Sequence, residues 1–205
     1  MNDATVFLVD DDPSVRDSLS LLLSLKGLRT RVYSSAESLL ATFEPGWRGC
    51  ILTDLKMPGL TGIELQQALG ERGSSMPVVV LTAHGDVATT RQALKAGAFD
   101  FLEKPVDDEV LLDVLQNAIR CDNERHAEQA QRTRVEDRVA RLTPREREVL
   151  LLIADGLQNR EIGERLGISP RTVEVYKARM MEKLQCRSLA DAVRVSLEWV
   201  RGGTH

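Results

Sequence analysis

Two rhythms of apolar and polar positions divide this chain. In the first half, short β-like runs recur at Thr5–Val9, Arg29–Tyr33, Cys50–Thr53, Val78–Thr82 and Phe99–Glu103. Helical patterns lie between them. Ser34-Ser35-Ala36-Glu37 and Thr61-Gly62-Ile63-Glu64 both fit an S/T-x-x-E capping box. Asp86 is placed to cap a helix over 87–96, and Gly97 stands where a left-handed residue ends one. Strands alternating with helices predict a parallel sheet with right-handed crossovers and helices on both faces. The expected fold is an α/β, doubly wound, five-stranded parallel sheet ending near residue 119.

The second rhythm is purely helical. From Asp107 to Leu142 there is no Pro and no Gly, and residues 122–141 are charged and polar apart from Val135, Val139 and a few alanines. Ala, Glu, Gln and Arg favour a helix continuing from Val110–Ile119, polar all round and able to bridge two domains. A flexible linker is the alternative. Four marked helix starts follow. Thr143-Pro144-Arg145-Glu146 combines a Thr cap, Pro at the first helical position and Glu three on. The next helix spans Gln158–Leu166 and stops at Gly167. Ser169-Pro170 opens a third, running to about Gln185, and Ser188 opens a fourth with Leu189, Val193, Leu197 and Val200 as its apolar stripe. These boundaries give three segments: 1–119, a linker at 120–141, and an all-α four-helix domain at 142–205.

Composition narrows the class. The chain has 205 residues, 42% hydrophobic and 28% charged, with a net charge of −4. The charge is uneven: −7 over 1–119, +1 over 120–141 and +2 over 142–205. The longest apolar run, Val149–Ala154, is far short of the ~20 residues of a membrane helix. The acidic N-terminus lacks the basic-then-apolar form of a secretory signal. Cys50, Cys121 and Cys186 are odd in number and widely spaced, which favours reduced thiols over disulfides or zinc. A cytoplasmic protein is expected.

The sharpest chemical feature is where polar residues close the apolar runs. Asp10, Asp11, Asp54, Thr82 and Lys104 all follow or end such runs. In an open parallel sheet the carboxyl ends of the strands share one edge, and ligands bind there. Three carboxylates, a hydroxyl and an ammonium suit a hard divalent cation and a phosphoryl group. Asp54, on the middle strand, is placed to act as a nucleophile towards phosphorus. Asp12 precedes Pro13 and is assigned to capping the first helix.

These residues carry a family resemblance. Val-Asp-Asp-Asp (9–12), Thr-Asp-Leu-Lys-Met-Pro-Gly (53–59), Leu-Thr-Ala-His-Gly-Asp (81–86), Lys-Ala-Gly-Ala-Phe-Asp-Phe (95–101) and Glu-Lys-Pro (103–105) resemble the receiver domain of two-component response regulators. The likeness spans residues 1–119 in order. It implies that Asp54 is the phosphoacceptor. It implies that Asp11, Asp54 and the Lys56 carbonyl bind Mg²⁺ directly, and Asp10 through water. Thr82 and Lys104 would hold phosphoryl oxygens, and the bond before Pro105 would be cis. Lys56 and His84 would flank the phosphoryl group, His84 as a loop residue restricting access, with a catalytic base the alternative. Thr82 and Phe101 would form a switch, with plain core packing the alternative for Phe101.

The last third offers a second likeness. Gln158–Leu166 and Pro170–Gln185, joined by Gly167-Ile168-Ser169, have helix-turn-helix spacing. The second helix carries Arg171, Lys177, Arg179 and Lys183 against Glu174 and Glu182. Leu-Thr-Pro-Arg-Glu-Arg-Glu-Val-Leu (142–150), Gly-Leu-Gln-Asn-Arg-Glu-Ile (156–162) and Ser-Pro-Arg-Thr-Val-Glu-Val-Tyr (169–176) resemble the LuxR-type DNA-binding module, in its FixJ form. Gly163 departs from it, where a small Ala is usual; its missing side chain would allow close helix packing. The resemblance implies that Glu174, Val175 and Ala178 face bases and that Arg160, Arg171, Thr172, Tyr176, Lys177 and Arg179 hold the backbone.

Together the two likenesses imply a transcriptional response regulator rather than an enzyme, one that assists only its own phosphoryl transfer and autodephosphorylation. Implied partners are a sensor histidine kinase, double-stranded promoter DNA, a second copy upon phosphorylation and, as a further candidate, RNA polymerase; no membrane is implied. Two rivals stand beside this reading. An aspartyl-phosphate phosphohydrolase would carry its nucleophile on the first strand. A phosphorylation-independent DNA-binding regulator would keep the acidic pocket as scaffold.

Overall fold

The structure is a computed structural model that describes residues 4–83 and 97–202. His84, Asp86 and the expected helix over 87–96 lie outside the described residues. By its contacts the chain divides into Met1–His126 and Ala127–His205.

The first unit runs β1 (Thr5–Val9), α1 (Pro13–Leu25), β2 (Arg29–Tyr33), α2 (Ala36–Thr42), β3 (Gly49–Asp54), α3 (Gly62–Glu71), β4 (Val78–Thr82) and β5 (Asp100–Glu103). It also holds the start of α4 (Asp108–Ala140). All strand pairs are parallel and the strand order is β2-β1-β3-β4-β5. This is the doubly wound, flavodoxin-like arrangement. Alternation along each strand builds two cores. Phe7, Val9, Ile51 and Val80 pack against Leu39, Leu40, Leu65 and Leu69 of α2 and α3. On the other face Val6, Leu8, Leu52 and Leu81 meet Leu23 of α1 and Leu111 and Leu115 of α4.

Local starts follow the sequence closely, with one correction. The Asp12 carboxylate accepts the Ser14 N–H at 2.8 Å, and Thr61 and Glu64 form the expected reciprocal box. At α2 the box is not Ser34 with Glu37. The helix begins one residue later, so Ser35 is the cap and its partner three on is Ser38. Two consecutive serines left that register open, and Glu37 is released for another contact.

Helix α4 covers the charged segment. Within the first unit its residue Asp122 is fully buried, and its Oδ2 accepts the Gly49 N–H at 2.9 Å. Asn123 accepts a bond from Arg48, and Arg125 donates to the Ser75 carbonyl. Gly49 has a φ of +132°, and a Cβ there would lie 1.9 Å from the Thr5 carbonyl oxygen. Only glycine lets β3 start this close to β1. Neighbouring Cys50 is buried, and burial together with the Asp122 charge pushes its thiol up to about 12. The three cysteines form no disulfide.

The second unit holds the end of α4, then α5 (Pro144–Ala154), α6 (Asn159–Leu166), α7 (Pro170–Leu184) and α8 (Leu189–Gly202). Its core joins Val135, Val139 and Leu142 to Val149, Leu150, Ile162, Val173, Met180, Leu184 and Val195. Thr143 and Glu146 form the expected box with Pro144 at the first position. Glu146 is 2% exposed, and its Oε2 also takes the Lys183 ammonium at 2.6 Å. Burial pushes its carboxyl up, but the bonds from Lys183 and Thr143 outweigh that and hold it below the usual glutamate value. The Arg138 guanidinium donates to the Leu184 carbonyl at the end of α7. A Cβ at Gly163 would lie 2.7 Å from the Ile168 carbonyl oxygen. The missing side chain therefore makes room for the turn's own backbone rather than for a neighbouring helix. Among the described residues no helix is long and apolar enough to cross a membrane.

Candidate functional site

The sheet order reverses between β1 and β3, so the crevice beyond their carboxyl ends is the place for a ligand. Asp10 follows β1 and Asp54 ends β3. Both are buried, at 1% and 9% exposure. From two strands away, the Lys104 ammonium reaches Asp10 Oδ2 at 2.7 Å and Asp54 Oδ1 at 2.5 Å. Burial opposes the Lys104 charge, but the two carboxylates outweigh it and raise its pKa above the ordinary lysine value. The Lys104 N–H donates to the Thr82 carbonyl at 2.7 Å, and the Lys104–Pro105 peptide is cis.

The remaining acceptors on these carboxylates are used locally. Asp10 Oδ1 accepts the Asp12 N–H at 2.9 Å, and Arg16 donates to the Asp10 carbonyl. Asp54 Oδ2 accepts the Lys56 N–H at 2.8 Å. A Cβ at Gly62 would meet the Asp54 carbonyl oxygen at 2.6 Å, and the Gly62 N–H donates to Leu55. The start of α3 thus rests directly on the backbone of Asp54. Thr82 closes β4 at 2% exposure. Phe101 is half-buried on β5 and pairs with Val80, so it shares a face with Thr82. Asp11 is exposed in the loop after β1. His84 is outside the described residues.

Among the described residues no three His, Cys, Asp or Glu side chains converge closely enough to hold a metal by themselves. The chemistry of the donors nevertheless suits a small hard cation. Two buried carboxylates share one ammonium, which leaves a net negative charge on oxygen donors. Asp10 and Asp54 therefore fit a typical Mg²⁺ site.

In the second unit, α6 and α7 are joined through Gly167 at φ +68°. Ser169 caps α7, accepting the Thr172 N–H at 3.1 Å, and Pro170 follows. Val173, Met180 and Leu184 turn inward. The outward face presents Arg171, Glu174, Val175, Ala178 and Arg179, with Thr172, Tyr176 and Lys177 half-buried at its margins. Val175 is 45% exposed, an apolar residue on a polar surface. Lys177 Nζ donates to Asn159 Oδ1 at 3.0 Å, and Arg160 pairs with Glu164 at 3.2 Å. Lys183, grouped by sequence with the cations of this helix, instead reaches into the bundle to Glu146. The cationic bias of the outward face comes from the first two-thirds of α7.

Sequence reasoning missed Asp122 and Arg138 as anchoring groups, and it placed Glu146 in a cap without its bond to Lys183. All three lie among charged residues whose pattern reads as solvated surface. Gly49, required by its backbone angle, was the one local sign that something approaches the start of β3.

Comparison with known proteins agrees with both halves. The response regulator receiver domain family matches residues 6–116, and the family described as bacterial regulatory proteins, luxR family, matches 140–196. The chain is 44% identical over 192 residues to the transcriptional regulatory protein FixJ of Azorhizobium caulinodans, covering 94% of this chain and 91% of that one. Among solved structures it is similar to the response regulator StyR, with a TM-score of 0.87 and 39% identity, covering 96% and 99% of the two chains. It is also similar to full-length FixJ from B. japonicum, with a TM-score of 0.61 and 37% identity, covering 98% and 99%. A phosphoryl-type acidic crevice, a helix-turn-helix and these end-to-end relatives coincide: the chain belongs to the response regulators that join a receiver domain to a LuxR-type DNA-binding domain, and it is homologous to the FixJ transcriptional regulators.

Proposed function

We propose that Asp54 accepts a phosphoryl group from a sensor histidine kinase and that this charge controls promoter binding by α6 and α7. The observation that carries the reading is the Lys104 ammonium lying on both Asp10 and Asp54 at the sheet's switch point. In the transfer, an Asp54 oxygen attacks phosphorus. An O–P bond forms as the N–P bond of a donor phosphohistidine breaks, and the imidazole departs with the electron pair. Asp11, Asp54 and the Lys56 carbonyl would hold Mg²⁺ directly and Asp10 through water, and the ion would neutralise charge on the transferred oxygens. Lys104 moves from the Asp54 carboxylate to a phosphoryl oxygen, and the Thr82 hydroxyl binds another. Hydrolysis by water returns the site to rest; the protein turns over no separate substrate.

The change of charge then biases a bistable element. Thr82 is drawn towards Asp54 and Phe101 takes up the space it leaves. The β5 edge repacks and favours a dimer, which presents two copies of α7 to two half-sites of promoter DNA. On α7, Glu174, Val175 and Ala178 face base edges. Val175 offers an apolar contact of the kind a thymine methyl accepts. Arg160, Arg171, Thr172, Tyr176, Lys177 and Arg179 neutralise or bond phosphates. The protein works in the cytoplasm, and bound dimers would act on RNA polymerase.

The test is acid-labile labelling of the full chain by a small phosphodonor, followed by DNA titration before and after labelling. Wild type should be labelled and bind promoter DNA more tightly once labelled. The Asp54→Asn variant should do neither. Persistent labelling of that variant would point to a different acceptor. Wild-type regulation by it in cells would make the crevice a scaffold.

A further inference from the structure

Glu37 has an assignment that its helix does not account for. In sequence it resembles the closing residue of a capping box, but Ser35 and Ser38 cap α2 between themselves. The carboxylate of Glu37 instead leaves its own helix and reaches the loop after β3, where Oε1 accepts the Leu60 N–H at 2.9 Å. That bond is the first cause of a carboxyl pKa below the usual glutamate value.

The loop it reaches is the one that leads away from Asp54. Its near end is fixed by the Lys56 N–H on Asp54 Oδ2 and by the buried side chains of Leu55 and Met57. Its far end enters α3 at the Thr61–Glu64 cap. Between these fixed ends lies Gly59, at φ +81°. A Cβ on Gly59 would stand 2.3 Å from Glu37 Oε1. The loop is thus shaped twice over to admit this carboxylate: a left-handed turn that favours glycine, and no side chain where the oxygen sits.

We propose that Glu37 is a positioning residue for the phosphoryl site. By holding Leu60 it fixes the path of residues 56–60, and so the direction of the Lys56 carbonyl that would face the divalent cation. The inference rests on the function proposed above. Residues that orient a metal's ligands typically change its affinity by about 10–100-fold when removed. Glu37 is exposed and acts through one intervening stretch of backbone, so the lower end, about tenfold, is expected.

The experiment uses the full chain as wild type, Glu37→Ala, Glu37→Gln and Asp54→Asn. Mg²⁺ binding is measured by calorimetry with the metal alone, with no phosphodonor present. Labelling from a small phosphodonor is followed separately as a function of Mg²⁺. Thermal unfolding of each variant checks that the fold is intact. Glu37→Ala should weaken Mg²⁺ about tenfold and shift the Mg²⁺ dependence of labelling equally, with the rate at saturating Mg²⁺ little changed. Glu37→Gln keeps an oxygen acceptor for the Leu60 N–H and should stay within about twofold of wild type.

Wild-type affinity in Glu37→Ala overturns the positioning role. So does a Gln variant as weak as Ala, since that would make bulk charge, not the bond to Leu60, the active quantity. Failure of the underlying site would look different. Wild type itself would then bind no Mg²⁺, or Asp54→Asn would still be labelled.

Discussion

Replacing Asp122 by Ala removes a carboxylate that is fully buried and bonded to the Gly49 N–H at 2.9 Å. Two terms compete. The carboxylate is poorly provided for, since Oδ1 has no hydrogen-bond partner among the described residues and His126 Nε2, a cation only when protonated, is 3.6 Å away. Its removal relieves that burial. Against this, the Gly49 N–H is left buried with no acceptor, which costs about 1–3 kcal/mol. Water cannot easily repair it, because Thr5 backbone atoms crowd the same glycine. The unmade bond should win, giving a loss of ~2 kcal/mol, or about 6–10 °C in Tm for a unit of this size. Asp122→Asn separates the terms. Its amide oxygen still accepts from Gly49 without carrying charge, so it should lie within about 1 kcal/mol of wild type. The assay is urea unfolding of the full chain carrying Trp199→Phe. Trp47, stacked on Phe7 at 4.4 Å, is then the sole tryptophan and reports on the sheet. A midpoint for Asp122→Ala within 0.5 kcal/mol of wild type at equal m-value would refute the reasoning. An Asn variant as unstable as Ala would show that charge, not the bond, fastens α4 to β3.

Gly49→Ala should be more damaging than Asp122→Ala, because its Cβ meets backbone rather than a movable side chain; far-UV circular dichroism on heating would show the lower midpoint. The second unit should have an acid limb set by Glu146. Its carboxyl is depressed in the fold, so its stabilisation is complete above the unfolded glutamate value of about 4.3 and is lost as pH falls through the lower folded value. Lys183→Ala should move that limb to higher pH, read from Trp199 fluorescence in a Trp47→Phe background. Charge reversal at Lys177 and Arg179 should weaken DNA binding and flatten its dependence on salt; unchanged binding would remove α7 from the interface.

The sheet was readable from the sequence because its signals are local. Apolar runs closed by polar residues located β1, β2 and β4 to the residue, and β3 and β5 to within one. The boxes at Thr61 and Thr143 were readable because their bonds span three residues. The meeting of Asp10, Asp54 and Lys104 was readable only because parallel topology gathers strand ends, and the topology itself was readable. What the sequence concealed is of another kind. Asp122, Arg138 and Glu146 find their partners 73, 46 and 37 residues away. A buried carboxylate in a run of charged residues has no periodic signature, since its burial is decided by the surface it lands on. The inward turn of Lys183 onto Glu146 was hidden for the same reason.

The sheet is mechanically uneven, and that unevenness bears on signalling. β3 is paired on both sides and buried along its whole length, with Asp122 fastened at one end and α3 resting on the other. It is the stator of the domain. Among the described residues β5 has a single paired neighbour, is half-exposed, carries Phe101 and leads into Lys104. A perturbation at Asp54 therefore arises on a strand held from both sides, and the strand that carries Phe101, two away, is paired on one. Under the proposed function, the acceptor would keep its chemical geometry while the outer margin of the sheet changes shape, so the place that receives the signal need not be the place that displays it.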